Sequence, residues 1–282
     1  MDRTLDRRKF LQTLAAGAAT GAVAGMMLGG CTRPEERGIH LEDPKRARRL
    51  VAKRVGSFRE GVINADADVA IASRPDSESL NGDEVQGLVR SAIGALGGMS
   101  GFVHPGDKVV IKPNLAFARN PGTGANTNPD VLAATIRLCK EAGAKEVVVV
   151  EHGIDQSVLS FLLSGASDVA ESLGVPLIAA ENENMYEEVV VGGELIARQL
   201  VIKEILACDC YVNLPVAKQH NAVDVCVGMK NQLGAVWRPQ DFHESASLRF
   251  AIAELARVLK PTLTIVDAID VMLNNGPKGP GD

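Results

Sequence analysis

The sequence predicts an α/β fold, a mostly parallel sheet with helices on both faces and a small antiparallel insertion. Three observations carry that prediction. From residue 66 onward, short apolar runs alternate with stretches of helical period, which implies strands joined through single helices. "KEVVVVEH", residues 145–152, has four valines in a row, the near-continuous apolar run of a parallel strand covered on both faces. "EEVVVGGE" and "RQLVIKE", between 187 and 204, read as two β-rich arms of an antiparallel insertion.

Taken in order, "ADVAIAS" at 67–73 is expected as a strand. Asn81 and Glu84 then form a capping box, and Val85, Leu88, Val89, Ile93 and Leu96 repeat at helical spacing behind it. "KVVIKPN", 108–114, is a short buried strand broken by Pro113. "TNPDVLAATIRLCKEAG" carries the clearest helix signals in the chain. Asn128 serves as cap, Pro129 takes the first helical position, Asp130 favours the positive end of the dipole, and Gly143 closes the helix. A helical region follows near 155–173, then the strands "VPLIAA" and "CYVNLPV". A helix over 243–259 places Leu248, Ile252, Leu255 and Leu259 on one face and ends before Pro261. A last strand, "LTIVDA", runs into "NNGPKGPGD", a Gly/Pro turn whose Lys278 is a weak candidate for anion contact. No fixed-period repeat suggests a solenoid.

The first thirty residues are of another kind. Arg7 and Arg8 stand before Phe10 and Leu11, and no charge occurs from Gln12 to Gly30. This is the pattern of a twin-arginine export signal, with a mildly apolar segment rich in Ala and Gly. The abundance of Gly and Thr sets it apart from a spanning helix, although its length approaches one. "LGGC", ending at Cys31, is similar to a bacterial lipoprotein cleavage box, so Cys31 is expected to be lipidated. Three units are therefore expected: a signal with lipobox over 1–31, a charged tether over 32–64, and an α/β domain over 65–282. The tether holds six cations between Lys45 and Arg54, able to lie on anionic headgroups or to form a solvated helix face. The expected location is periplasmic or otherwise extracytoplasmic, at a membrane held through Cys31. Export in the folded state favours a metal or redox cofactor inserted inside the cell.

Composition limits the functions available. A formal charge of -5 becomes -7 once residues 1–30, with four basic and two acidic side chains, are removed. An acidic body with few aromatics argues against nucleic acid as a partner. Cys139, Cys208, Cys210 and Cys226 form no C-x-x-C pair, so an iron-sulfur or zinc site made by this chain alone is not expected. A strand through Cys208 and Cys210 would turn both to one face, where packing is the favoured role. The P-loop, the strand-following G-x-G-x-x-G, the G-x-S-x-G elbow and H-E-x-x-H are all absent from the sequence.

Open parallel sheets bind ligands outside the carboxyl ends of their strands. "KVVI" runs into Lys112 and Asn114, "EVVVV" into Glu151 and His152, "CYVNLPV" into Lys218 and His220, and "LTIV" into Asp267. In "GMKNQLGAV", Gly228 and Gly234 bracket Lys230, Asn231 and Gln232, offering close backbone approach and donors for a carboxylate or phosphate. We expect Lys112, Asn114, Lys218, Lys230 and Asn231 to bind an anionic ligand. His220 is expected as general acid/base or ligand, with Asp267 orienting it. His152, His220 and His243 fall near this edge and could share a transition metal.

"VVIKPNLA", "TNPDVLAATIRLCKEAGAKEVVVVEH", "YVNLPVAKQH", "GMKNQLGAV" and "PTLTIVDAIDVMLNNGPKGPGD" resemble, in order, the blocks of domain-of-unknown-function family 362. The resemblance runs from about residue 65 to the end. It implies an α/β domain associated with iron-sulfur proteins and matches recurrent positions at Lys112, Asn114, Lys218, His220, Lys230, Asn231, Asp267 and Gly276. Gln219 departs from the small residue or Thr usual there. Members generally continue past "GPKGPGD" with a further strand and helix, so the C-terminal part of the domain is expected to be missing. An iron-sulfur cluster or other transition metal is then expected from that part or from a redox partner. The leading reading is a redox- or metal-linked protein, whether or not an enzyme. The alternative is a non-catalytic anion-binding accessory or assembly factor.

Overall fold

The computed structural model describes residues 68–74 and 79–279; the expectations for Arg7, Arg8, Cys31 and the tether over 32–64 lie outside the described residues. Residues 68–74 form no strand. The alternation of "ADVAIAS" finds no surface to pack on: Val69 and Ile71 are 47% and 66% exposed.

Helix α1 (Gly82–Ala95) starts at the expected capping box, with Asn81 Oδ1 accepting from Glu84 N–H and the Glu84 carboxylate accepting from Asn81 N–H. Strand β1 (Lys108–Pro113) leads to helix α2 (Pro129–Glu141), where Asn128 Oδ1 accepts from Asp130 N–H. Gly143, just past the helix, has φ 95°, a conformation that favours glycine. Strand β2 (Glu146–Glu151) is followed by helices α3 (Ser157–Leu163) and α4 (Ala166–Leu173) and strand β3 (Leu177–Ala179). The insertion is the antiparallel pair β4 (Tyr186–Val190) and β5 (Arg198–Ile202), with the one-turn helix α5 (Lys203–Leu206) behind it.

Strand β6 (Cys210–Leu214) does not continue through "PV" into a loop. The chain breaks at Pro215 and starts a second strand, β7 (Val216–His220), which pairs with β8 (Asp224–Cys226). Lys218 and His220 therefore stand on a strand. After the short helix α6 (Gly228–Asn231) comes a one-turn helix, α7 (Gln240–His243), and the helix expected at 243–259 is α8, over Leu248–Val258. The last strand is likewise split, into β9 (Leu263–Thr264) and β10 (Asp267–Met272).

The central sheet is parallel throughout, in the order β3-β2-β1-β6-β9; β10-β7-β8 and β4-β5 form two smaller sheets. Alternate residues of the central strands feed opposite cores. Val109, Ile111, Val147, Val149 and Cys210 meet α1, α2 and α4, whereas Val110, Val148, Val150 and Tyr211 meet the β4-β5 insertion, Ile205 and α8. Burying such valines on both sides stabilises each by roughly 1.5–3 kcal/mol over exposure. Cys208 precedes β6, so it falls in the second core and Cys210 in the first, on opposite faces of the sheet. The strand order reverses direction between β1 and β6, which creates a switch point and a crevice beyond their carboxyl ends. Among the described residues no helix is long and apolar enough to cross a membrane.

Candidate functional site

The crevice is floored by side chains from the ends of β1 and β6. Lys112 and Asn213 are register partners, both fully buried. Lys112 Nζ lies 2.8 and 2.9 Å from the two carboxylate oxygens of Glu151, at the end of β2. It also donates to the Pro113 carbonyl at 2.6 Å and to Asn231 Oδ1 at 3.2 Å. Glu151 accepts in addition from the backbone N–H groups of Leu115 and His152, at 2.8 and 3.0 Å. A buried ion pair is tolerable when its remaining bonds are made, and this one is satisfied on both sides. Burial pushes the Lys112 ammonium down and the Glu151 carboxyl up, and their mutual contact opposes both shifts.

Asn231 extends the network. Its Nδ2 donates to Asn213 Oδ1 at 2.8 Å, and its Oδ1 accepts from Asn114 Nδ2 at 3.0 Å as well as from Lys112. Asn114 is thereby oriented with its oxygen toward Lys218, whose Nζ donates to Asn114 Oδ1 at 2.6 Å and to the Ala125 carbonyl. The Phe117 ring lies 4.9 Å from the same ammonium. Lys218 is 1% exposed, and none of these neighbours is an anion. Burial brings its pKa down to about 8; Lys230 and Lys112 push it further down, against Cys226 and Glu151.

These groups border a cavity, partly open to solvent, lined by Asn114, Glu151, Lys218, His220, Lys230 and Asn231 among others. Lys230 is likewise shifted down by burial. His220, two residues beyond Lys218 on β7, accepts from Ala222 N–H through Nδ1 at 3.1 Å and stacks on His243, ring centroids 6.5 Å apart. Burial lowers His220 to about 4, helped by Lys230, His243 and Lys218, so at neutral pH it is an uncharged imidazole. Gly234 closes the floor: a Cβ there would overlap Glu151 Oε1 and Lys112 Nζ.

The structure thus brings together Lys112, Asn114, Lys218, His220, Lys230 and Asn231, as the sequence suggested. It does not bring Asp267 to His220. The Asp267 carboxylate accepts from Asn128 N–H at 2.7 Å and Ile269 N–H at 3.0 Å, tying β10 to the start of α2. Burial raises its pKa to about 6. Lys278 pairs with Asp155 at 2.8 Å, its charge already matched. Gly276 N–H donates to Gln219 Oε1 at 2.7 Å, and a Cβ at Gly276 would run into the Gln219 carbonyl, so the unusual Gln219 fastens the Gly/Pro turn to β7. Glu151 and Asn213 had no ligand role in the sequence reading, and His243 had only that of a metal ligand. An amide inside an apolar strand was the available signal for Asn213.

The residues do not fit a metal or cluster. Cys139, Cys208, Cys210 and Cys226 are buried and form no disulfide, and among the described residues no three His, Cys, Asp or Glu converge on one point. Burial holds the Cys139 thiol well above its usual range and pushes Cys208 up to about 12. His152 lines the cavity with His220 and His243, but its Nδ1 is engaged elsewhere, 2.8 Å from the Tyr186 hydroxyl and 3.1 Å from the Ala180 carbonyl.

A doubly covered parallel sheet with a polar crevice at its switch point defines an α/β protein of the open-sheet class. The chain belongs to the domain of unknown function family DUF362, whose model matches residues 109–282. It is 30% identical over 208 residues to the "Thylakoid-associated protein sll1697" of Synechocystis sp., across 71% of this chain and 64% of that relative. The chain therefore spans less than two thirds of the relative's length. A crystal structure of a Thermotoga maritima protein superposes with a TM-score of 0.42 at 14% identity, over 73% of this chain and 54% of the other.

Proposed function

We propose that this protein is exported and lipid-anchored, and that its cavity binds a small anion and moves a proton there, within a redox or metal-linked process. Lys218 is the observation that carries anion binding. A buried ammonium among neutral acceptors is half of an ion pair, and a carboxylate or phosphate group entering the cavity completes it. Lys230 adds a second cation. Lys112, already matched by Glu151, acts as a positioning residue by holding Asn231 and, through it, Asn114. The neutral His220 imidazole beside Lys218, its Nδ1 taken by Ala222 N–H, carries its proton on Nε2 and is the group able to give that proton to a bound ligand and take it back.

Export and anchoring rest on Arg7, Arg8 and the "LGGC" box at Cys31, together with the thylakoid association printed in the relative's name. The redox link rests on the folded-export route and on the family resemblance. Any cluster then belongs to a partner protein or to a further C-terminal part of the family domain, since among the described residues the cysteines do not converge. Mass spectrometry of the mature chain tests the anchor: a diacylglyceryl group on Cys31 supports it, and an unmodified Cys31 removes it. A visible chromophore or stoichiometric metal in anaerobically purified protein with its bound partners supports the redox link. Colourless, metal-free material favours the accessory-factor reading.

For the site, the test is calorimetric titration of the full chain with sulfate, a probe whose charge is constant across neutral pH. Sulfate binds the parent protein, and Lys218→Met with Lys230→Met weakens binding by about tenfold or more, roughly 1.4 kcal/mol per tenfold. Equal affinity in the folded double variant removes the proposal.

A further inference from the structure

We infer that Lys218 is a nucleophile that forms an imine with a carbonyl compound carrying an anionic group, the 2-oxo acids being the simplest such class. The inference rests on the anion-binding reading of the cavity and adds covalent chemistry to it. Its basis is the number and kind of partners around one nitrogen. A neutral amine has two N–H donors and one lone pair. Lys218 Nζ has two oxygen acceptors within hydrogen-bond distance, Asn114 Oδ1 and the Ala125 carbonyl. The two N–H groups are thereby taken up, and the lone pair is left for an electrophile in the cavity that Lys218 lines.

The acceptors are fixed in that role. Asn114 cannot present its NH₂ to Lys218 without losing the bond from Nδ2 to Asn231 Oδ1, and Asn231 is held in turn by Asn213 Oδ1 and Lys112 Nζ. The surroundings favour the free amine. Nζ is out of water, Lys230 and Lys112 supply like charge, and the opposing groups are Glu151, already paired with Lys112, and the Cys226 thiol. Lysines used in imine chemistry are activated in this way, by desolvation and a neighbouring cation. The remaining titratable groups facing the site are His152, His220 and His243, and burial lowers the last two.

The step balances without oxidant or reductant. The Nζ lone pair attacks the carbonyl carbon, a C–N bond forms, and the π pair moves to oxygen. Solvent water in the partly open cavity carries the two nitrogen protons to the oxygen in turn: the first makes the carbinolamine hydroxyl, and the second lets it leave as water as the C–O bond breaks. Amine and carbonyl give imine and water. Lys230 holds the substrate's carboxylate, a task for which its free charge and position on the cavity wall suit it.

The test uses pyruvate as probe and sodium cyanoborohydride as trap on the full chain, followed by peptide mapping. The expected product is a carboxyethyl group on Lys218, formed at least tenfold faster than on the exposed Lys145 and Lys260, with a yield that rises toward pH 8. Trapping at Lys145 and Lys260 with Lys218 unmodified overturns the inference, and this map of the parent protein decides without any variant. Lys218→Arg, checked for folding by circular dichroism, should show no trapping at position 218 or at a neighbouring lysine. If sulfate binds and Lys218 stays unmodified, the imine is wrong and the anion site stands. If sulfate does not bind and Lys218 is unmodified, both fall.

Discussion

Lys112 and Glu151, from neighbouring parallel strands, form an ion pair buried to 1% side-chain exposure, 2.8 Å apart, directly against the Cα of Gly234. The pair is the fixed floor on which Asn231, Asn114 and finally Lys218 are arranged. Taking away one member leaves a buried charge without its counterpart, which costs about 3–5 kcal/mol. In urea denaturation Lys112→Met and Glu151→Gln should each lose stability of that order. The double variant should lose less than the sum. Additive losses would show that the two side chains do not act as a pair.

Gly234→Ala tests the same floor sterically. Its Cβ would overlap both members of the pair, and overpacking of this kind costs about 1–3 kcal/mol. Gly228→Ala is the comparison, because a Cβ there meets Thr264 Cγ2 at 3.3 Å and the Asn213 amide at 3.5 Å, contacts that a small shift relieves. Urea midpoints should fall clearly for Gly234→Ala and little for Gly228→Ala; equal midpoints would count against the packing described.

Two groups in the cavity act on the stability profile with the same sign, in two separate pH windows. Lys218, lowered from 10.5 to about 8, binds fewer protons folded than unfolded between those values, so its contribution to stability rises as pH climbs from about 8 to 10.5. His220, lowered from 6.5 to about 4, likewise favours unfolding as pH falls from 6.5 toward 4. The difference between parent and Lys218→Met should therefore change across the alkaline window, and that between parent and His220→Gln across the acid one. Flat differences would contradict the burial assigned to each group.

Asp267 is predicted to act on the fold. Asp267→Ala removes the acceptor of two part-buried hydrogen bonds, from the Asn128 and Ile269 N–H groups, a loss of about 1–3 kcal/mol in all. Thermal unfolding should register this loss. The acid limb set by His220 should keep its midpoint, whereas a residue orienting His220 would shift it.

The sequence made β1, β2 and α2 legible because their signals are local: a capping asparagine, a first-turn proline, a run of valines. It did not show that Pro215 ends one sheet and begins another. β7 pairs with β10, some fifty residues later, and pairing over that distance leaves no local mark. Lys112 could be picked out because a lysine beside a proline at a strand exit is unusual in an apolar run, and Lys218 because a lysine interrupts the apolar run that follows Pro215. Glu151 could not, since a carboxylate at a strand end reads as surface until the neighbouring strand supplies Lys112. "ADVAIAS" failed for the converse reason: it has strand-like alternation and no covered face.

The central claim is that Lys218, as a cation, completes an anion site. Sulfate affinity measured by calorimetry from pH 7 to 10 tests it most directly, because sulfate itself does not titrate there. The account predicts that binding weakens as pH rises through about 8, where Lys218 gives up its proton, and that Lys218→Met binds weakly with that step absent. Affinity unchanged through pH 8, or the same step in the variant, would contradict it.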